Sequence, residues 1–358
     1  MLNTNDFLIK LIDQGFSHLC VVPCSFAKNI INASINQGNK IVYTPCASEA
    51  VACSVAAGLT MGGKKPIVIV QSSGLTNLGS CITSLLKPYD VKFPIIVSWR
   101  TYQDGDSEVQ HQHLSSNLPS LVNAYGYEAI KLINNDLDIA IDQINQCNIS
   151  KKICLMEKDS FTKVDLLSEH ILDLSNYIKR SFYLKKLNEI FANEDVLFIG
   201  TTGNTSREMY GVMPDTNNFY MAGNMGGALS LGLGAALSGK KVIVCGGDAE
   251  FVMHMGGLTT AGRYKKDINL HYILFDNESN KSTGGQQTLQ NHVNYSIIAQ
   301  NLGFDSQPST ITNIEEFLEI FKNSPEENKL LFTHVKCSYD DQFPRPPINE
   351  VAKNCFDN

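Results

Sequence analysis

The chain has 358 residues, too many for one ordinary domain and about right for two; 18% charged and 43% hydrophobic residues suit a globular enzyme with sizeable cores. A net charge of -7 argues against nucleic acid as the main partner, and no stretch approaches the roughly 20 apolar residues of a membrane span. The N-terminus lacks the basic and apolar regions of a signal peptide, and ten cysteines without a CxxC pair read as buried thiols of a reducing compartment, so a cytoplasmic protein is expected.

Apolar runs at residues 18–22, 40–43, 66–70, 94–97 and 153–156 read as strands, and amphipathic stretches at 4–15, 49–61 and 135–147 read as helices. Their alternation predicts a mostly parallel sheet covered on both faces. The strand ends carry polar groups. Thr44 to Glu49 leads into a small-residue helix, where Ser48 can cap and Glu49 can sit in the first turn as an ordinary surface carboxylate, or else serve as a buried acid. Gln71-Ser72-Ser73-Gly74 is either a turn or the lining of a ligand crevice. Ser98-Trp99-Arg100 ends another strand, and Glu108 to His113 follows a polar loop; a metal site at His111 and His113 is disfavoured because no third ligand is evident.

Residues 162–180 are more polar and read as a connector, after which a second α/β block begins. Its strands are expected at 196–199, 241–245, 270–275 and 330–335. Gly200 to Glu208 closes the first of them with hydroxyls and a helix start, suitable for phosphate although a capped helix explains it equally. Gly223-Asn224-Met225-Gly226-Gly227 opens a glycine- and alanine-rich helix at 228–238, and Met225 is by base rate a core residue. Gly246-Gly247-Asp248-Ala249-Glu250 and Asp276-Asn277-Glu278-Ser279 each follow an apolar run, so an acid and an amide arrive at the carboxyl ends of two strands, the edge where open α/β sheets bind ligands. Asp248 and Asn277 are hard oxygen ligands of the type that magnesium takes.

Taken together and in order, these pieces resemble the thiamine diphosphate (ThDP)-dependent phosphonopyruvate and sulfopyruvate decarboxylases over nearly the whole chain. The matching stretches are Val22-Pro23-Cys24-Ser25, Ser48-Glu49, Gln71 to Gly74, Trp99-Arg100, Glu108 with Gln110-His111, and Thr201 to Glu208. Further on they are Gly223 to Gly226, Gly247-Asp248 with Met253-His254, and Asp276-Asn277 with Ser282 to Gln286. The resemblance implies two doubly wound α/β domains without a middle domain: a pyrimidine domain at 1–162, a linker at 163–182 and a pyrophosphate domain at 183–358.

It also implies roles. Glu49 would exchange a proton with N1′ of the cofactor's aminopyrimidine, and His111 would position groups or transfer protons later. Ser73, Gly74, Thr202, Gly203, Asn204, Thr205, Gly223, Met225, Gly247, Asp248, Ala249 and Glu250 would line the cofactor site. Within that set the Gly223 carbonyl would hold the 4′-amino group and Met225 would bend the cofactor. Magnesium would be held by Asp248, Asn277 and the Ser279 carbonyl. A small anionic 2-oxo acid would meet Cys24, Ser25, Arg100 and Lys281. Sites built from two subunits imply a homodimer or a dimer of dimers. The phosphonopyruvate branch carries Asp at the position of Cys24, Lys at Asn204, and His at Gly227 and Asn280, and these departures touch the substrate more than the cofactor. A carboligase shares every step up to carboxylate loss, and an inactive paralogue used in assembly is the non-enzymatic reading. Retention of Glu49, Asp248 and Asn277 favours an active enzyme.

Overall fold

A computed structural model describes residues 1–100, 109–322, 329–340 and 343–347. Its contacts divide the chain into two compact units, Met1–Ile171 with Asn280–Gln287, and Leu172–Ser279 with Thr288–Asn358. Among the described residues no helix is long and apolar enough to cross a membrane, and the nine described cysteines are free thiols.

The first unit is built on a parallel sheet of β1 (Phe16–Val21), β2 (Val42–Pro45), β3 (Lys65–Gln71), β4 (Ile95–Ser98), β5 (Glu128–Lys131) and β6 (Lys152–Met156), in the order β2-β1-β3-β4-β6-β5. The central strands are Val/Ile-rich and buried along their length, as a sheet covered on both faces requires. One core lies between the sheet and helices Thr4–Asp13, Lys28–Asn36 and Leu137–Ile149, and includes Phe7, Leu8, Leu11, Ile30 and Ile144. The other lies under helix Glu49–Met61 and includes Ala52, Cys53, Ala56, Val68 and Val70. Helix Thr4–Asp13 stops before Gly15, whose φ of +82° suits glycine alone.

The second unit repeats the plan. Its sheet contains β7 (Val196–Gly200), β8 (Asn217–Tyr220), β9 (Lys241–Gly247) and β10 (Asn269–Asp276). After the short ribbon of β11 (Ser279–Asn280) and β12 (Gln286–Gln287), the sheet is completed by β13 (Asp305–Ser306) and β14 (Leu330–Lys336). The order is β13-β14-β10-β9-β7-β8, with every pairing parallel. After β7 the chain goes outward to β8 and then returns to the other side for β9. The crevice at the carboxyl ends of β7 and β9 is therefore the topological switch point, where ligands of such sheets bind.

Within the two six-stranded sheets, three strands escape the sequence reading: β5, β8 and β13. All are edge strands of two to four residues with polar positions, so they carry no apolar run. The expected helix at 135–147 runs Leu137–Ile149, with Asp136 capping it through the Ile139 N–H.

Candidate active site

The first unit gathers chemistry at the carboxyl edge of β1 to β4. Ser48 caps helix Glu49–Met61 through the Val51 N–H, as its type predicts. Glu49 is not the surface carboxylate that a capped first turn usually carries: it is 3% exposed. The helix Ser72–Asn77 starts directly at the end of β3 and packs against it. Asn77 Nδ2 donates to Glu49 Oε2 at 2.9 Å, and a Cβ on Gly74 would lie 2.5 Å from Glu49 Oε1, so only glycine admits this carboxyl. Ser72 Oγ is buried there without a hydrogen-bond partner, while Ser73 is half-buried.

At the end of β4, Cys24 Sγ lies 2.8 Å from Ser98 Oγ, and both are buried. Arg100 is 8% exposed; its Nη2 donates to Ser25 Oγ at 2.7 Å and its guanidinium lies 4.1 Å over the Phe26 ring. Trp99 is anchored by its indole N–H to the Ser115 carbonyl. His111 is buried in the turn Val109–His111, whereas His113 is exposed on the helix that follows. Glu108, expected beside them, lies outside the described residues.

The sequence reading places Lys281 with the second domain by its position in the chain; by contacts, segment Asn280–Gln287 groups with the first unit. Gln286 is fully buried and donates to Asn32 Oδ1 at 2.8 Å, and a Cβ on Gly284 would lie 2.9 Å from Lys28 Cγ. The segment is thus fastened to the helix that carries Lys28, with Lys281 half-buried in the turn Lys281–Thr283.

The second unit assembles the other group. Gly203, at φ +87°, turns the chain from β7 into helix Asn204–Val212, and no side chain caps that helix, so its first N–H groups stay available. Thr202 Oγ1 donates to the Ala222 carbonyl, and Ser206 Oγ donates to the carbonyls of Gly200 and Thr201, which pins the turn; Thr205 is buried and Asn204 half-buried. Residues 223–227 form a tight turn in which Asn224 (φ +56°) and Gly226 (φ +89°) are left-handed; a Cβ on Gly226 would lie 2.8 Å from His254 Cγ. Gly223 and Met225 are half-buried, so Met225 is not the core residue that base rates suggest.

Asp248 is 4% exposed at the end of β9, with Gly247 and Ala249 half-buried on either side. Its Oδ2 accepts from Thr288 Oγ1 at 3.1 Å. Burial, together with the charge of Asp276, pushes its carboxyl up to about 7. Asp276 shares the burial, but hydrogen bonds from His334 Nε2 at 3.0 Å and Lys336 Nζ at 3.1 Å and the Lys336 charge hold its carboxyl below the ordinary value. The two acids are thus pushed in opposite directions, Asp276 down and Asp248 up. Asn277 is buried and its Oδ1 accepts from the Ser279 N–H at 3.0 Å; Asp276 Oδ1 likewise accepts from the Glu278 N–H. Ser279 Oγ is buried without a hydrogen-bond partner. Glu250 is buried, with both carboxylate oxygens accepting protein bonds, and burial pushes it up to about 7.

Among the described residues no three His, Cys, Asp or Glu side chains are placed to hold a metal ion. A site of one carboxylate, one amide and one backbone carbonyl is a different donor set, and Asp248, Asn277 and Ser279 provide those types. Sequence reasoning did not single out Asn77, Thr288, His334, Lys336 or Tyr272. Each acts on a site residue from a separate stretch of chain, and no local spacing marks them.

Comparison with known proteins agrees with this geometry. The N-terminal TPP binding domain of thiamine pyrophosphate enzymes matches residues 2–118, and their C-terminal TPP binding domain matches residues 199–335. A phosphonopyruvate decarboxylase of Streptomyces viridochromogenes is 28% identical over 323 residues, covering 85% of this chain and 81% of that one. A sulfopyruvate decarboxylase of Methanosarcina acetivorans is 26% identical, covering 94% and 91%. The sulfopyruvate decarboxylase subunit beta of Methanocaldococcus jannaschii is 38% identical over 155 residues, 43% of this chain and 80% of that one. The chain belongs to the thiamine diphosphate-dependent phosphonopyruvate/sulfopyruvate decarboxylase family, carboxy-lyases that act on small 2-oxo acids.

Proposed function

We propose that the enzyme decarboxylates an anionic 2-oxo acid, 3-phosphonopyruvate or a close relative such as sulfopyruvate, with magnesium as the second cofactor. The observation that carries the substrate class is the buried Arg100, held by Ser25 and Phe26 at the same strand edge as the buried Glu49. A buried guanidinium places fixed positive charge at this edge, and burial of a phosphonate, sulfonate or carboxylate needs such charge close by. The names of the relatives support the same class.

When bound, thiamine diphosphate supplies a carbon nucleophile and an electron sink for the departing carboxylate. The chain's residues do the rest. Glu49, oriented by Asn77 and admitted by Gly74, holds or moves the proton at N1′ of the aminopyrimidine. The Gly223 carbonyl would receive the 4′-amino group, and Met225 would bend the cofactor. The N–H groups at the start of helix Asn204–Val212, with Thr202, Gly203 and Thr205, receive the diphosphate. Asp248, Asn277 and the Ser279 carbonyl would hold magnesium, and the fit of that ion is argued by Asp248: a carboxyl pushed up by burial and by the charge of Asp276 would be relieved by a divalent cation. His111 positions substrate or passes a proton, and Cys24 shapes the pocket where the branch carries an acid. Lys281 adds a second cation for the substrate.

The pyrimidine-binding half is residues 1–162 and the diphosphate-binding half residues 183–358, contributed to one site by different copies in a homodimer or dimer of dimers. Ten cysteines without a CxxC pair support a cytoplasmic setting. The test is turnover of phosphonopyruvate, sulfopyruvate and pyruvate by wild type and Lys281→Ala. The variant should lose about tenfold more activity toward the two dianionic acids than toward pyruvate, the worth of one charge-assisted hydrogen bond. Equal losses, or a wild type that prefers pyruvate, would overturn the substrate assignment.

A further inference from the structure

Glu250 sits two residues beyond Asp248, and the family resemblance expects it to face the cofactor. Its contacts point elsewhere. Oε1 accepts from the Ala228 N–H at 3.2 Å, and Oε2 accepts from the Gly247 N–H at 3.3 Å and from the Tyr272 hydroxyl at 3.2 Å. The Thr201 hydroxyl is a further hydrogen-bond partner. These partners come from four separate pieces of chain: the turn after β7, the start of helix Ala228–Leu237, the end of β9, and the middle of β10.

Each bond answers a local need. Ala228 is the first residue of its helix, whose opening N–H groups have no intrahelical acceptor, and the N-cap Gly227 has no side chain to offer one. Gly247 precedes helix Asp248–Met253, and Glu250, its third residue, reaches back to the Gly247 N–H as in a capping box. Tyr272 reaches Glu250 only because Gly246 has no side chain: a Cβ there would lie 2.1 Å from Tyr272 Cε2 and 2.4 Å from its hydroxyl. The pair Gly246-Gly247 therefore has two distinct purposes, passage for the Tyr272 ring and the turn into Asp248.

We infer that Glu250 is a positioning residue, a buried clamp secured by Tyr272 that ties Thr201, the Gly247 turn and the start of helix Ala228–Leu237 together, so that the diphosphate and metal cradle is formed before the cofactor arrives. The inference rests on the reading of these loops as the cradle. It replaces the expected direct contact of Glu250 with an indirect one, because both carboxylate oxygens are engaged by the protein.

The test uses Glu250→Gln in the full-length protein. Glutamine has one acceptor oxygen and an amino group that can only donate, so the Ala228 or the Gly247 N–H is left facing a donor. In the cofactor-free protein, deuterium exchange at that amide should rise by about tenfold or more, the factor that one lost hydrogen bond of about 1.4 kcal/mol carries, while β10 keeps its protection. Calorimetry should show magnesium-ThDP binding weakened by about the same factor. Turnover at saturating cofactor should fall much less than the cofactor KM rises. A variant with a lowered melting temperature but wild-type exchange at both amides and wild-type cofactor affinity would overturn the clamp. If Glu250→Gln does not fold, Tyr272→Phe removes one hydroxyl and should move exchange and affinity in the same direction by a smaller factor; wild-type values in both would also overturn it. A wild type that fails to bind ThDP would defeat the cradle reading, whereas the exchange data judge the clamp independently.

Discussion

If Asp248 holds the magnesium, cofactor binding must displace a proton, and the structure sets how many at each pH. Asp248 is pushed up to about 7 from an ordinary 3.8 by burial and by the neighbouring Asp276. A carboxyl raised on folding favours the protonated native state: its contribution is complete below about pH 4 and is lost as pH rises toward 7. That loss is on the order of 4 kcal/mol for about three pKa units at 1.36 kcal/mol each. A divalent ion needs the carboxylate and removes the penalty. Binding of preformed magnesium-ThDP should therefore release about nine-tenths of a proton at pH 6 and about a tenth at pH 8. The assay is calorimetry in two buffers of different ionisation enthalpy at each pH, with magnesium in excess so that the cofactor's own phosphate proton is already gone. Proton release that does not change between the two pH values would refute the assignment of Asp248 as the ligand. Thermal melting would be a poorer assay, because His271, pulled down to about 3 by burial, contributes stability that is lost as pH falls below 6.5 and so opposes Asp248 in the same window.

Glu49→Gln should keep the fold and bind cofactor while activity falls by about 10²–10⁴, the range for a positioned proton-transfer group; wild-type turnover would remove Glu49 from the mechanism. Gly74→Ala places a methyl 2.5 Å from Glu49 Oε1 and should reduce turnover at saturating substrate without changing cofactor affinity, and a fully active variant would show that the carboxyl need not sit where it does. Glu208→Ala strands Arg180, which is 3% exposed and donates to Glu208 through Nε and Nη2. Chemical denaturation should show a loss of about 3–5 kcal/mol, and a loss under about 1 kcal/mol would mean the buried pair is not a structural tie. A site built from two copies should make specific activity fall on dilution in step with dissociation measured by light scattering; a fully active monomer would contradict the shared site.

Much of this protein is written locally. A parallel strand buried on both faces must be a continuous apolar run, so the four central strands of each sheet announce themselves. The residue that follows such a run is necessarily at the sheet's carboxyl edge, which is why Asp248 and Asn277 are legible as site candidates from position alone. Edge strands β5, β8 and β13 were not, because a strand half open to water has no apolar run to read. Nor could local pattern choose between a solvated Glu49 in a capped turn and a buried one; that choice depends on Gly74 and Asn77 arriving from the end of another strand. The same holds for Asp276, whose partners His334 and Lys336 come from a strand about sixty residues on, and for Glu250, whose partner Tyr272 passes only over Gly246. Periodicity records which face of an element is buried. Which distant side chains share that burial, and hence which acids keep their charge, is decided only when the strands are laid side by side.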